Sequence, residues 1–222
     1  MASLAIRAAY LELVPAFERQ SREKVETQWV GMADIRKRML AGEVCDAVIG
    51  SASLIEDLVN GGSLDSRSRV DLAKSGVGAA VRSGAAKPRL ASIEDLKGAL
   101  RAAKSIVYSS GPSGVYLAEL FERLGIADEM KRKATQAPPG VLVGELVAQG
   151  KYELCFQQLP ELRQVRGIDY VGALPAEVQL VTVFSGAVHS KAKQPKPAGD
   201  WLRQLASREA HAAFRRHGLE PA

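Results

Sequence analysis

The sequence predicts an α/β fold built as two lobes. Three observations carry that prediction. Short apolar runs with strand character alternate with segments of helical periodicity along most of the chain. Several of those strands end directly in Ser/Gly-rich helix starts, and two long apolar segments, at 69–83 and 178–190, are placed to cross between lobes. Alternation of this kind gives mixed, mainly parallel sheets flanked by helices, joined by right-handed crossovers. The predicted lobes are residues 1–75 with 181–222, and residues 76–180.

Ile6, Tyr10, Leu13 and Phe17 recur at helical spacing and predict a helix over 5–20, followed by an alternating strand "KVETQWV" at 24–30. Gly31 starts a second helix, over 32–41, which Gly42 ends. "CDAVIG" at 45–50 reads as a short apolar strand of a parallel sheet. In the following "SASLIEDLVNGG", Ser53 and Glu56 have the spacing of a capping box and Gly61 closes the helix. Residues 69–84 form a long strand with a glycine break, and Ser92 caps a helix over 92–103. "KSIVYSS" is a strand leading into a helix over 114–124 that Gly125 terminates. A shorter helix at 144–150 precedes the strand "YELCFQQ". "VQLVTVFSGAVHS" at 178–190 is a second long strand, and "AGDWLRQLAS" and "REAHAAFRRHG" are two final helices.

Composition narrows the function. The chain is 46% hydrophobic and 25% charged, as in ordinary folded proteins. Lys and Arg outnumber Asp and Glu by 30 to 25, which favours anionic partners. The basic residues are scattered and aromatics make up 5%, so there is no stacking platform for nucleic acid. Cys45 and Cys155 are the only cysteines, which excludes a disulfide scaffold and a paired zinc site. No apolar run approaches the ~18 residues of a membrane span, and "MASLAIRAAY" lacks the order of a signal peptide. The expectation is a cytosolic protein or one whose export signal has been removed.

The motif that points to chemistry is "YSSGPSG" at 108–114. A strand ending there before a helix gathers hydroxyls and backbone N–H groups at the positive end of a helix dipole, a setting for an anion held by neutral donors. Ser110, Ser113 and the amides of Gly114 and Val115 are the candidate contacts. The alternative is local: Ser113 as an N-cap, Gly111 and Pro112 as turn formers. The same arrangement recurs at Ser51, at Gly31 and Met32, and at Ser3, and in open α/β sheets such starts converge beyond the carboxyl ends of the strands. Catalytic patterns are absent. "GPSGV" has Val115 where a nucleophile elbow needs glycine, no phosphate-cradling lysine motif occurs, and His189, His211 and His217 are dispersed. No carboxylate pair stands out, and neither a metal nor a cofactor is expected.

In "AYLELVPAFERQSREKVETQWVGMADIRKRMLAGEVCDAVIG", "SSGPSGVYLAELFERLGI", "GELVAQGKYELCF" and "WLRQLASREAHAAFRRHGLEP" the chain resembles the type II periplasmic solute-binding proteins of ABC importers, the molybdate-binding group in particular. The resemblance implies two α/β lobes joined by two crossing strands that close on an oxyanion, a permease as partner and a periplasmic location, with a cytoplasmic relative as the alternative. It places ligand contacts at Ser3, at Gly31 and Met32, and at Ser113, Val143 and Gln157. Met32 stands where a hydroxyl is usual, Ser113 where a small apolar residue is common, and Gln157 where a tyrosine is typical. The ligand is therefore a molybdate-like oxyanion or a small organic anion. The family's first strand is also expected to be short or missing here, because Ser3 is nearly the first residue; a truncated or misassigned start, or a strand supplied by a partner, would account for it. Two other classes stay open: an enzyme acting on a phosphorylated or carboxylated small molecule, and the ligand-sensing domain of a regulator.

Overall fold

The computed structural model describes residues 1–222. In chain order the elements are β1 (Ala2–Ser3), α1 (Arg7–Ser21), β2 (Trp29–Val30), α2 (Met32–Leu40), β3 (Ala47–Ser51), α3 (Ala52–Asn60), β4 (Val70–Arg82) and α4 (Ile93–Ala102). They continue with β5 (Ile106–Tyr108), α5 (Pro112–Arg123), α6 (Ala127–Met130), β6 (Ala134–Gln136), α7 (Val143–Ala148), β7 (Leu154–Gln158), α8 (Leu159–Arg163) and β8 (Ile168–Ala173). β9 (Val181–Val188), α9 (Pro195–Leu205), α10 (Arg208–Arg216) and β10 (Glu220–Pro221) complete the chain. No helix is long and apolar enough to cross a membrane.

The chain divides into two compact units, Met1–Ser75 with Thr182–Ala222, and Gly76–Val181. In the first, the strands run in the order β2-β1-β3-β9-β4, with β10 paired to β4. β1 lies parallel between β2 and β3, whereas β3 and β9 are antiparallel. Helices α1, α9 and α10 cover one core, in which Tyr10 meets Trp29 and Trp201 edge-to-face at 5.0 Å each. Such aromatic contacts add about 0.5–1.5 kcal/mol each beyond the area they bury. Ile35, Met39, Leu54, Ile55 and Leu58 of α2 and α3 form the core on the other face, against Val48 and Ala187.

In the second unit β5 is the central parallel strand, with β6 on one side and β7 on the other. β4 lies antiparallel to both β7 and β8. Leu96, Leu100, Leu117, Leu120 and Phe121 pack on the sheet through Ile106 and Phe156, and all are buried. Beside the crossing into this unit, the Gln179 side chain takes the place of a neighbouring strand. Its Oε1 accepts the Val77 N–H at 2.8 Å, and its Nε2 donates to Val77 O at 3.0 Å and Leu174 O at 3.4 Å.

Several expectations change. The strand expected over 24–30 shrinks to Trp29–Val30, because its one partner, β1, offers only two residues to pair with. The first strand itself is present but short. Ser51, not Ser53, caps α3: its Oγ accepts the Leu54 N–H at 3.3 Å. The left-handed turn after α3 falls on Gly62, at φ 73°, whereas Gly61 has φ −78°. The sheets are mixed as expected, with β4 and β9 running antiparallel to their neighbours. Residues 69–82 show no glycine break; β4 is continuous.

Candidate functional site

Register alone brings the donor-rich junctions of each unit to one edge. In the second unit Tyr108 pairs with Phe156 and with Gln136, so Ser109, Gln157 and Ala137 lie level at the carboxyl ends of β5, β7 and β6. The Ser109 N–H donates to Phe156 O at 3.3 Å, and Gln136 Nε2 donates to Ser109 O at 3.4 Å. Helices α5, α7 and α8 all start at this edge.

α5 begins with Gly111 at its N-cap and Pro112 in its first turn, and no side chain caps it. Its first turn sits directly on the end of β5: a Cβ at position 114 would lie 1.5 Å from the Ser109 carbonyl oxygen. Gly114 is therefore required by packing. The Gly114 and Val115 amides donate to Gly111 O at 2.9 and 3.1 Å, and the Val115 side chain is 51% exposed. Ser113 and Ser109 are buried and their hydroxyls meet at 2.9 Å. Ser110 is half-buried, and its hydroxyl takes no hydrogen bond inside the unit.

Val143 and Gln157, expected as separate contacts, bond to each other. Gln157 Oε1 accepts the Val143 N–H at 2.9 Å, both residues being buried, and Nε2 donates to Val141 O at 3.3 Å. The remaining Gln157 amide hydrogen meets Glu161, in the first turn of α8, which also accepts the Gln158 backbone N–H. Burial pushes the Glu161 carboxyl from 4.5 up to about 7, against those two bonds, which hold it down. No cation pairs with it. Glu161 was missed in the sequence because α8 has five residues, too few to show helical periodicity. The available signal was an acidic residue following Pro160 just after a strand, the pattern of a short helix start.

In the first unit Ser3 and Ser51 are the last residues of β1 and β3 and Gly31 follows β2, so at the ends of these parallel strands they too share an edge. Ser3 Oγ accepts the Ala5 N–H at 3.3 Å, and Ser51 Oγ lies 3.2 Å from Ser53 Oγ. Ser3 and Ser51 are buried, and Gly31 caps α2 without a side chain. The Ser51 N–H points to Met32 Sδ at 3.4 Å, so Met32 fills this edge with a weak acceptor instead of a hydroxyl. Arg7, four residues after Ser3, lies with its guanidinium over the Trp29 ring at 5.9 Å. Its Nε is buried without a partner, and it forms no ion pair.

Two mixed sheets, each presenting helix starts at the carboxyl ends of its parallel strands, define the architecture of type II solute-binding proteins. Solved structures share it. The periplasmic molybdate-binding protein of Azotobacter vinelandii superposes with a TM-score of 0.81 at 16% identity, over 98% of this chain and 96% of that one. The sulfate-binding protein SubI of Mycobacterium tuberculosis H37Rv gives 0.79 at 18% identity, over 100% and 85%. The family model described as bacterial extracellular solute-binding protein matches residues 1–220, and the chain belongs to that family. In sequence it is 37% identical over 227 residues to an aconitate isomerase of a Pseudomonas species, covering 100% of this chain and 86% of that protein.

Proposed function

We propose that the protein binds a small carboxylate-bearing anion through the hydroxyls of Ser110 and Ser113 and delivers it in the periplasm to an ABC importer. The observation that carries this reading is the donor-rich, uncapped start of α5 at the carboxyl end of β5. Neutral donors at a helix start suit an anion, and each bond to a charged partner contributes about 1.5–3 kcal/mol. The amides of Gly114, Val115 and Val143 already serve bonds within the unit, so they support the site's shape more than its donor count.

A thermal-shift panel of molybdate, sulfate, phosphate, citrate and the two geometric isomers of aconitate tests the reading. A ligand at 100 times its Kd adds about 2.7 kcal/mol, and each kcal/mol raises Tm by about 2–4 °C in a chain of this size. Stabilisation by the carboxylates supports the proposal. A flat response to the whole panel removes it.

A second reading is isomerisation of such a carboxylate. It is favoured by the end-to-end likeness to the Pseudomonas aconitate isomerase and by one group that the binding role leaves unexplained, Glu161.

A further inference from the structure

We infer that Glu161 is the acid–base group of the second unit's site, carrying a proton from one carbon to another of an unsaturated polycarboxylate bound there. The inference rests on the anion-binding reading above and assigns chemistry to it. Its geometric basis is a chain of bonded groups. The Val143 N–H is held by Gln157, and the Gln157 amide in turn holds Glu161, so one amide joins the start of α7 to the start of α8. Gln157 spends its whole amide on protein partners, with Val143, Val141 and Glu161 around it. It therefore acts as a positioning residue. Glu161 belongs to the same edge through Gln157, which lies level with Ser109 at the ends of β7 and β5.

The charge state fits the work. A carboxyl held by amides alone, with no cation beside it, binds its proton near neutrality, the range in which a general base also returns what it takes.

Aconitate is a propene tricarboxylate with a methylene beside its double bond. Ionised Glu161 removes a methylene proton: the C–H bond breaks, its electron pair becomes the new C=C, and the old double bond's pair moves to the neighbouring carboxylate as an enediolate. Glu161 is now the neutral acid. It returns the proton to the carbon at the far end of the former double bond, which forms the new C–H bond and restores the carboxylate. Nothing is oxidised or reduced, and the base is regenerated. Because both arms end in carboxylates, moving the double bond between them yields aconitate again, of either geometry. The hydroxyls of Ser110 and Ser113 are the donors for the charge that builds on the carboxylate meanwhile.

The test uses the full chain with cis-aconitate as probe. Glu161→Gln keeps the N-terminal capping bond, which Gln also makes, so the variant folds. Expected are formation of trans-aconitate and deuterium uptake at the methylene in D2O with the native protein, and a loss of about 10²–10⁴-fold in rate in the variant, with Kd by calorimetry within about threefold. A variant that isomerises at the native rate overturns the assignment. Native protein that binds cis-aconitate but neither converts nor exchanges it overturns the chemistry and leaves the binding reading intact. Native protein that binds no carboxylate overturns both. Glu161→Asp, which keeps the acid but shortens it, separates a folding defect from a chemical one: partial activity supports the role, and full activity counts against the geometry.

Discussion

The hydroxyls of Ser109 and Ser113 lie 2.9 Å apart, both buried, one at the end of β5 and the other in the first turn of α5. One of them donates and the other accepts, so the pair keeps a hydroxyl oriented at the helix start. Ser113→Ala removes a candidate anion donor and strands its partner. Affinity for the bound anion should fall about tenfold, the equivalent of 1.4 kcal/mol. Tm should fall by about 2–4 °C per kcal/mol lost in burying an unpaired Ser109. Titration calorimetry showing unaltered affinity would exclude Ser113 from the site.

Gly114 and Gly98 should respond to alanine in opposite directions. A methyl at 114 would meet the Ser109 carbonyl at 1.5 Å, and backbone on both sides leaves nothing flexible to move. Gly114→Ala should cost upwards of about 3 kcal/mol or prevent folding of the second unit. Gly98, inside α4 with nothing within 4 Å of the added atom, should gain about 0.4–1 kcal/mol. Urea denaturation reads both.

Glu161 links stability to pH. Its folded value, about 7, stands above the ordinary 4.5, so the folded chain binds the proton more tightly than the unfolded one. The contribution is complete below pH 4.5 and is lost as pH rises through 7. Glu161→Gln lacks this dependence, so its stability should gain on that of the native protein between pH 5 and pH 8. Urea midpoints at the two pH values measure the difference; a difference that does not change with pH means the carboxyl titrates at its ordinary value.

Cys155 reports on unfolding of β7. Burial pushes its thiol up to about 12, and it is fully enclosed in the second unit. A thiol reagent at pH 8 should label Cys155 only at the rate of opening, with urea accelerating it, whereas Cys45 is half-buried and should label first. Equal rates for the two would mean that β7 opens locally.

Gln179→Ala should leave the Val77 N–H without its partner, while the Val77 carbonyl keeps the Leu174 N–H at 3.1 Å. An unsatisfied buried backbone group costs about 1–3 kcal/mol, and Val77 is fully buried, so this change should destabilise by that order. A thermal melt within 1 °C of the native protein would show that water replaces the amide.

Much of the fold was legible because α1, α4, α9 and α10 carry periodic apolar faces over nine residues or more. The length of β4 was likewise visible as an apolar run. The short pieces were not. α6, α8, β6 and β8 owe their form to neighbours already in place, and no local pattern announces a helix of four or five residues. The serines of the helix starts were visible because capping and anion binding use the same residue types. Which amides the protein spends on itself, as Val143 does on Gln157, depends on two segments meeting in space and has no trace in either alone. Glu161 lay hidden for the same reason.

The first unit is assembled from both ends of the chain, with Phe184, Trp201, Leu202 and Phe214 packed against Tyr10 and Phe17. A ribosome makes the chain from its amino terminus, so residues 1–75 emerge first and residues 182–222 last. Everything that Gly76–Val181 needs is already synthesised while Tyr10 and Phe17 still await their aromatic and aliphatic mates, so the amino-terminal segment spends the longest part of biosynthesis as exposed apolar surface in need of a holdase.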